Sequence, residues 1–550
     1  MPRRRRASPI PAPQPRPLWP PRRVFVGLAS LAAATLMVRM GLLEPIVGGI
    51  VDAAVRNIIT LILCFSAAMS VLLWFLVESG HTATLKRVVG LGLVALVGLA
   101  CAVLRIERVS GDLVPQWAFR WSPTRDRLLP QAAGAGSAAG AAWGETPGDF
   151  PRFLGPDGSG SLAGPAVDPD WDARPPRRLW RRPIGAGWSG FAVCGDHAVT
   201  LEQRGDEELI SCQAVPTGEI EWTVSVPGRH ETVLGGVGPR STPAIAGGVV
   251  YTTGATGWLH AVDGPTGRVL WKKNVLDDLD VDPAADAAAI AWGRAGSPLV
   301  AGSLVIVPGG GPRRTGGAVS LVAYDRDTGE RRWTGGDQQI SYVSPEMVSW
   351  DGREVLLTVN ESSVAGHDPA DGRELWRFDW PGHSNSDATC SQAHVLEGGR
   401  IFISKGYGVG AAVFERQPGE PVAFKPVWQQ PGSLKTKFTN VVIHDGHAYG
   451  LSDGILECVS LADGKRRWKG GRYGQGQVLR VGDWLLVQAE SGEVVLAECA
   501  PQKHVVRGRL AALDGQTWNT LCLSGDRLLV RNAEEAACYL IPLAAPRDGP

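Results

Sequence analysis

An all-β fold, an eight-bladed β-propeller of four-stranded blades, is predicted by three observations on this 550-residue chain. A glycine stands four residues before a tryptophan five times, in phrases ending at Trp222, Trp271, Trp333, Trp376 and Trp468. Asp or Thr immediately precedes that glycine in every copy. The copies recur at steps of 49, 62, 43 and 92 residues, the spacing of a repeat architecture.

Each phrase has a physical rationale as a strand, a turn and a new strand. In Ala261–Trp271, the β-branched and aromatic run Val249-Val250-Tyr251 and then Leu259 read as strands. Asp263, Pro265 and Gly267 form a turn: Asp bonds its own backbone, Pro presets φ, and Gly takes a positive φ at no steric cost. One indole per unit is suited to fill the gap between neighbouring sheets and keeps a hydrogen-bond donor. A small residue opposite, Ala261 or Gly366, leaves room for the ring.

The longest step contains a degenerate unit with a longer hairpin, ending at Trp428. A unit from Val494 has lost its tryptophan, and the strands from Arg527 run out of chain before completing theirs. Trp180, which precedes every unit, is expected to complete that last blade and close the ring, which removes exposed sheet edges. The count is eight blades over about 176–545, with seven as the alternative. Seven tryptophans, Trp180, Trp222, Trp271, Trp333, Trp376, Trp428 and Trp468, are assigned to blade docking.

The phrase AxDxxTGxxxW, complete at 261–271 and 323–333, resembles the pyrroloquinoline quinone (PQQ)-like repeat. That family includes quinoprotein alcohol dehydrogenases and BamB-like subunits of the outer-membrane assembly machine. The resemblance implies the fold over the C-terminal two thirds of the chain. It does not imply a function, because the matching residues turn chains and pack blades.

The N-terminal third differs in kind. Residues 1–23 form a basic, Pro-rich tail, expected in the cytoplasm. An α-helical region follows, with apolar segments at 24–43, 57–77 and 88–104 expected to cross a membrane. Three crossings predict a multi-pass protein of the inner membrane with its propeller in the periplasm. Residues 105–175 read as a linker, with a flexible Ala/Gly-rich stretch at 131–148. Within it, DFPRFLGPDGSG (149–160) resembles a segment that precedes such propellers in planctomycete-type proteins and is expected to dock on the propeller through its aromatics.

The 55 basic and 55 acidic residues balance, so no overall basic field points to nucleic acid. The seven cysteines beyond the membrane segments are scattered singly, and reduced buried thiols are favoured over disulfides. No CxxC knuckle is present, and His444, Asp445 and His447 are explained by a hairpin turn at Asp445-Gly446 rather than by a metal. GWSG at 187–190 does not complete a nucleophile elbow. No catalytic residue and no metal site are therefore assigned.

A propeller's ligand site is expected where the innermost strands begin. Stepping back from each repeat gives Arg240, Arg294, Tyr342, His383, Asn385, Asp387, Lys437, Asn440, Arg472 and Tyr473. Converging, they would make a polar, mildly basic pocket for an anionic or sugar-like ligand; scattered, they are a solvated rim. The resemblance also implies what a quinoprotein needs: PQQ with calcium, a catalytic Asp and often adjacent cysteines. The sequence has no Cys-Cys pair, and Asn385 with Asp387 is the nearest fragment of a calcium set. The reading is a non-catalytic, membrane-anchored binding or scaffold module of the cell envelope, with no cofactor and with envelope proteins or another envelope component as partner. The alternatives are a PQQ-dependent oxidoreductase and a small-ligand sensor.

Overall fold

A computed structural model describes residues 16–42, 52–130, 143–419 and 421–545. Two compact units are present. The first contains the N-terminal helices, and the second is 123–550 together with Asp52 and Arg108–Asp112.

Three helices occur in the first unit: Arg22–Arg39, Ala53–Leu73 continued by one π-helical turn at Trp74–Glu78, and Ala83–Val103. Each starts two to five residues before its apolar segment, because flanking Ala, Arg and Lys residues are good enough helix formers to extend it. The second and third are long and apolar enough to cross a membrane. The first carries Arg22, Arg23 and Arg39 within its 18 residues and is not apolar enough; among the described residues two such helices are present where three were expected. Residues 1–15 of the basic tail lie outside the described residues.

Eight four-stranded blades form the second unit. Blades 1 to 7 span 192–227, 244–274, 299–335, 346–379, 394–430, 441–472 and 477–511. Blade 8 takes its inner three strands from 522–540 and its outer strand from Arg177–Pro183. Cys538 pairs with Trp180, so the ring closes through the N-terminal strand as the sequence predicts. Apolar clusters lie between successive blades, as between blades 4 and 5 around Trp376, Phe378 and Trp380.

The repeat phrase is one device used several times. In blade 2, Gly267 N–H donates to the Asp263 carbonyl and Asp263 N–H to the Arg268 carbonyl. The same pair of bonds recurs at Ala214–Glu219, Asp325–Glu330, Asp368–Arg373 and Ser460–Lys465. The glycine has φ of 67–76° at positions 218, 267, 329, 372 and 464. It is also the surface on which the preceding blade's indole lies. A Cβ on Gly267 would sit 2.7 Å from Trp222, and the same crowding joins Gly218 to Trp180, Gly329 to Trp271, Gly372 to Trp333 and Gly464 to Trp428. Both demands, left-handed backbone and ring contact, exclude any side chain there. Four of these rings also donate to the carbonyl three residues before their glycine: Trp180 to Val215, Trp222 to Gly264, Trp271 to Arg326 and Trp428 to Leu461.

Blade 7 lacks the tryptophan but keeps its place. Gly508 faces Leu496 at the bulge where the other blades place their ring. Trp171, from the segment before blade 8's outer strand, lies on Gly508 with its Cγ 2.7 Å from where a Cβ would be. It is 3% exposed and packs between blades 7 and 8.

The region expected as linker is more ordered than its composition suggests. It includes strands Leu104–Val109 and Pro115–Phe119. Residues 131–142 of the Ala/Gly-rich stretch lie outside the described residues, but 143–148 are seated. Trp143 is 9% exposed against Gly264, and the Gly148 carbonyl accepts from Gly525 N–H. A buried indole overrides the flexible composition around it.

The channel mouth as candidate functional site

The innermost strands begin at one end of the central channel, and a belt of hydrogen bonds passes there from blade to blade. Gly190 N–H donates to Thr242 Oγ1 (3.1 Å), Thr242 N–H to Ser297 Oγ (2.9 Å), and Ser297 N–H to Ser344 Oγ (2.9 Å). Ser344 N–H continues to Gln392 Oε1 (3.1 Å), and Gln392 N–H to Asn440 Oδ1 (3.0 Å). The short polar residues before the recurrent prolines therefore satisfy backbone donors that the channel would leave orphaned. Asn440 belongs to this belt.

The other candidate residues fall into separate local groups. Arg240 donates to the carbonyls of Gly235 (2.6 Å) and Gly238, and enclosure brings its guanidinium down to about 10. Beside it, burial raises the Glu208 carboxyl to about 7, and burial with the Arg240 charge lowers His230 to about 3. Arg294 is held bidentately by Asp286 (3.0 and 2.8 Å), which projects from the short helix Pro283–Ala289. Tyr342 OH accepts from Trp292 N–H (3.0 Å) and donates to the Ser384 carbonyl (2.6 Å). Asp387 pairs with the buried Lys405 (3.0 Å), while His383 and Asn385 are exposed in the same loop. Arg472 is exposed at a strand end, and Tyr473 OH bonds His504 Nε2 at 3.0 Å.

Lys437 occupies the mouth proper, and what it meets is the chain itself. Its Nζ lies 3.2 Å from Asp52 Oδ2 and donates to the Gly111 carbonyl at 3.4 Å. Gly111 belongs to Arg108–Asp112, which groups with the propeller. Glu490 accepts from Gly111 N–H (2.8 Å), Trp518 Nε1 (3.0 Å) and Gln475 N–H (3.0 Å). Gln516 donates to the Val109 carbonyl (2.9 Å), and Arg108 pairs with Glu534 (2.8 Å). A Cβ on Gly111 would fall 2.2 Å from Gln475 Cγ, so only glycine fits this plug.

Aromatic rings frame the mouth. Trp188 packs on Trp518 (4.7 Å) and Trp518 on Phe438 (4.6 Å), while Trp292 lies 5.2 Å from Tyr342 and 6.3 Å from Tyr407. Sequence reasoning named Tyr342 but missed the other rings, Asp52 and Arg108–Asp112. A signal was present: the chain has 20 tryptophans, and the repeat uses seven.

The far end of the channel is crossed by 149–162. Phe150 pairs with Val193 of blade 1, and the Pro151 carbonyl accepts from Ile245 of blade 2. Ser161–Leu162 then adds a parallel strand to blade 7 at Arg480 and Val481. Phe150 and Leu154 are each 1% exposed, so the expected docking occurs, with Phe150 as its buried aromatic.

Asn385 and Asp387, the nearest fragment of a calcium set, do not converge on one point. Asp387 is committed to Lys405, Asn385 is exposed, and no two cysteines adjoin in the sequence.

The sequence profile of the family described as outer membrane protein assembly factor BamB matches residues 205–470. Quinohemoprotein alcohol dehydrogenase from Comamonas testosteroni is a structural neighbour: TM-score 0.52, 13% identity, 76% of this chain and 83% of that one. BamB from Moraxella catarrhalis aligns with TM-score 0.48 at 15% identity, over 66% of this chain and 100% of that one. No curated protein matches the chain.

Proposed function

For a chain whose repeats are those of the PQQ-like β-propeller family, we propose a non-catalytic binding or scaffold role in the cell envelope, anchored in the inner membrane with the propeller in the periplasm. The observation that carries this reading is the closed mouth. Lys437, Glu490 and Gln475, the polar groups best placed to meet a ligand, hold Gly111 and Asp112 of the same chain. Arg240, Arg294, Tyr342 and Asn440 are likewise engaged within the fold. Binding then falls to the outer faces and connecting loops, with an envelope protein or another envelope component as partner. The BamB description of the matching family supports that class of partner. The two apolar helices support the anchor.

Cross-linking in intact cells followed by purification of the full chain tests the reading. A specific envelope component recovered with the wild-type chain, and lost on substitution of outer-face residues, is the expected result. Recovery of nothing beyond a control membrane protein overturns it.

A further inference from the structure

Blade 1 places three metal-ligating side chains on one face. His197 opens the second strand, Cys212 lies on the third, and Glu221 is the extra residue at the bulge between Ile220 and Trp222 on the fourth. Val199 faces Cys212, so His197, two residues away, projects from the same side. Glu221 Oε2 lies 2.8 Å from His197 Nδ1 and 3.2 Å from Cys212 Sγ. All three ligand atoms are within 4.8 Å of one another. Cys212 is fully buried, whereas the side chains of His197 and Glu221 are 33% and 28% exposed. Trp143 stacks on the imidazole at 4.7 Å and fixes its plane.

The other blades show that these residues are not needed for packing. The same three positions hold Val249, Ala261 and Leu270 in blade 2, and Leu304, Ala323 and Arg332 in blade 3. Blade 6 has His447 and Cys458 in register, but Arg467 stands at the bulge. A cation there opposes a metal ion, so blade 6 is an internal control for blade 1.

We propose that His197, Cys212 and Glu221 bind a divalent transition-metal ion of the zinc type. One sulfur, one imidazole nitrogen and one carboxylate oxygen suit that ion, and bond lengths of about 2.0–2.3 Å place ligand atoms about 3.3–3.8 Å apart in a tetrahedron. The contacts at 2.8 and 3.2 Å are closer because protons now bridge them, the thiol and the imidazole both meeting one carboxylate. Metal entry releases the thiol proton to solvent, shifts the imidazole proton from Nδ1 to Nε2 so that the Nδ1 lone pair is free, forms the metal–sulfur and metal–nitrogen bonds, and moves the ligands apart. The solvent-facing side leaves a fourth position for water.

The test uses the full chain in detergent, purified without a histidine tag, stripped with chelator and titrated with cobalt(II), then with zinc. Binding of one equivalent with a near-ultraviolet thiolate-to-cobalt charge-transfer band, bleached by zinc, is expected. Cys212→Ser abolishes the band, Glu221→Gln weakens cobalt binding at least tenfold while preserving shape, and His447→Ala in blade 6 changes neither. No thiolate band in the wild type, a band that survives Cys212→Ser, or unchanged affinity in Glu221→Gln overturns the proposal.

Discussion

Blade 2 carries its own tryptophan, and blade 7 borrows one. In blade 2, Trp271 faces Ala261 across the bulge and lies on Gly329 of the next blade. In blade 7 the strand residue is Gly508, and the ring comes from Trp171, more than 300 residues earlier in the chain. The propeller thus requires an indole-shaped filling between blades and is indifferent to which strand supplies it. The repeat in the sequence marks one route to that filling.

The largest effect should come from removing the borrowed ring. Trp171→Ala is expected to cost about 3–5 kcal/mol, as for other buried Trp truncations, read as a lowered denaturation midpoint of the full chain. Restoring the repeat residue in the same chain, as Trp171→Ala with Gly508→Trp, should recover part of that loss. If the double variant is no more stable than Trp171→Ala, the two blades do not share one design.

An intermediate effect sets a mouth residue against the interblade fillings. Glu208 is 3% exposed, accepts from Ala255 N–H at 3.1 Å, and is raised to about 7 by burial. A carboxyl raised in the folded state binds its proton more tightly there than when unfolded. Its stabilising contribution is therefore present below pH 4.5 and is lost as pH rises from 4.5 to about 7. Glu208→Gln should match the wild type at pH 4.5 and exceed it at pH 8 by up to about 3 kcal/mol. Thermal melts of both chains across that window check the sign. An interblade variant such as Trp171→Ala should show the same deficit at both ends.

The smallest effect separates the docking rings themselves. Trp222 Nε1 donates to the Gly264 carbonyl at 2.7 Å, whereas Trp333 Nε1 is buried with no hydrogen-bond partner. Trp222→Phe should cost about 1 kcal/mol more than Trp333→Phe, the net value of one such bond. Equal midpoints for the two variants would assign the docking to ring packing alone.

These differences also explain what the sequence revealed. The four-residue Gly–Trp offset encodes a local turn and a local bulge, so blade identity, blade count and closure through Trp180 could be read directly. Trp171 was not legible as blade 7's filling, because the contact with Gly508 is tertiary and leaves no periodic trace. The mouth was half legible. Stepping back from each repeat located Arg240, Arg294, Tyr342, Lys437 and Asn440 at the end of the channel where the innermost strands begin. It could not show that Tyr342, Lys437 and Asn440 are already engaged, because Ser384, Asp52 and Gln392 come from elsewhere in the chain. The plug at Gly111 was invisible for the same reason: its glycine is dictated by Gln475, not by a turn. The His197–Cys212–Glu221 cluster spans three strands and depends on the bulge to bring Glu221 forward, so the cysteine looked solitary in sequence.

The central proposal is that the repeats build a scaffold whose channel mouth, filled by its own chain, takes no quinone. Isothermal titration of the full chain with PQQ in the presence of calcium tests it most directly. The account predicts only heats of dilution, with no quinone absorbance retained after desalting. A saturable one-site isotherm, with retained absorbance and dye-linked oxidation of an alcohol, would contradict it.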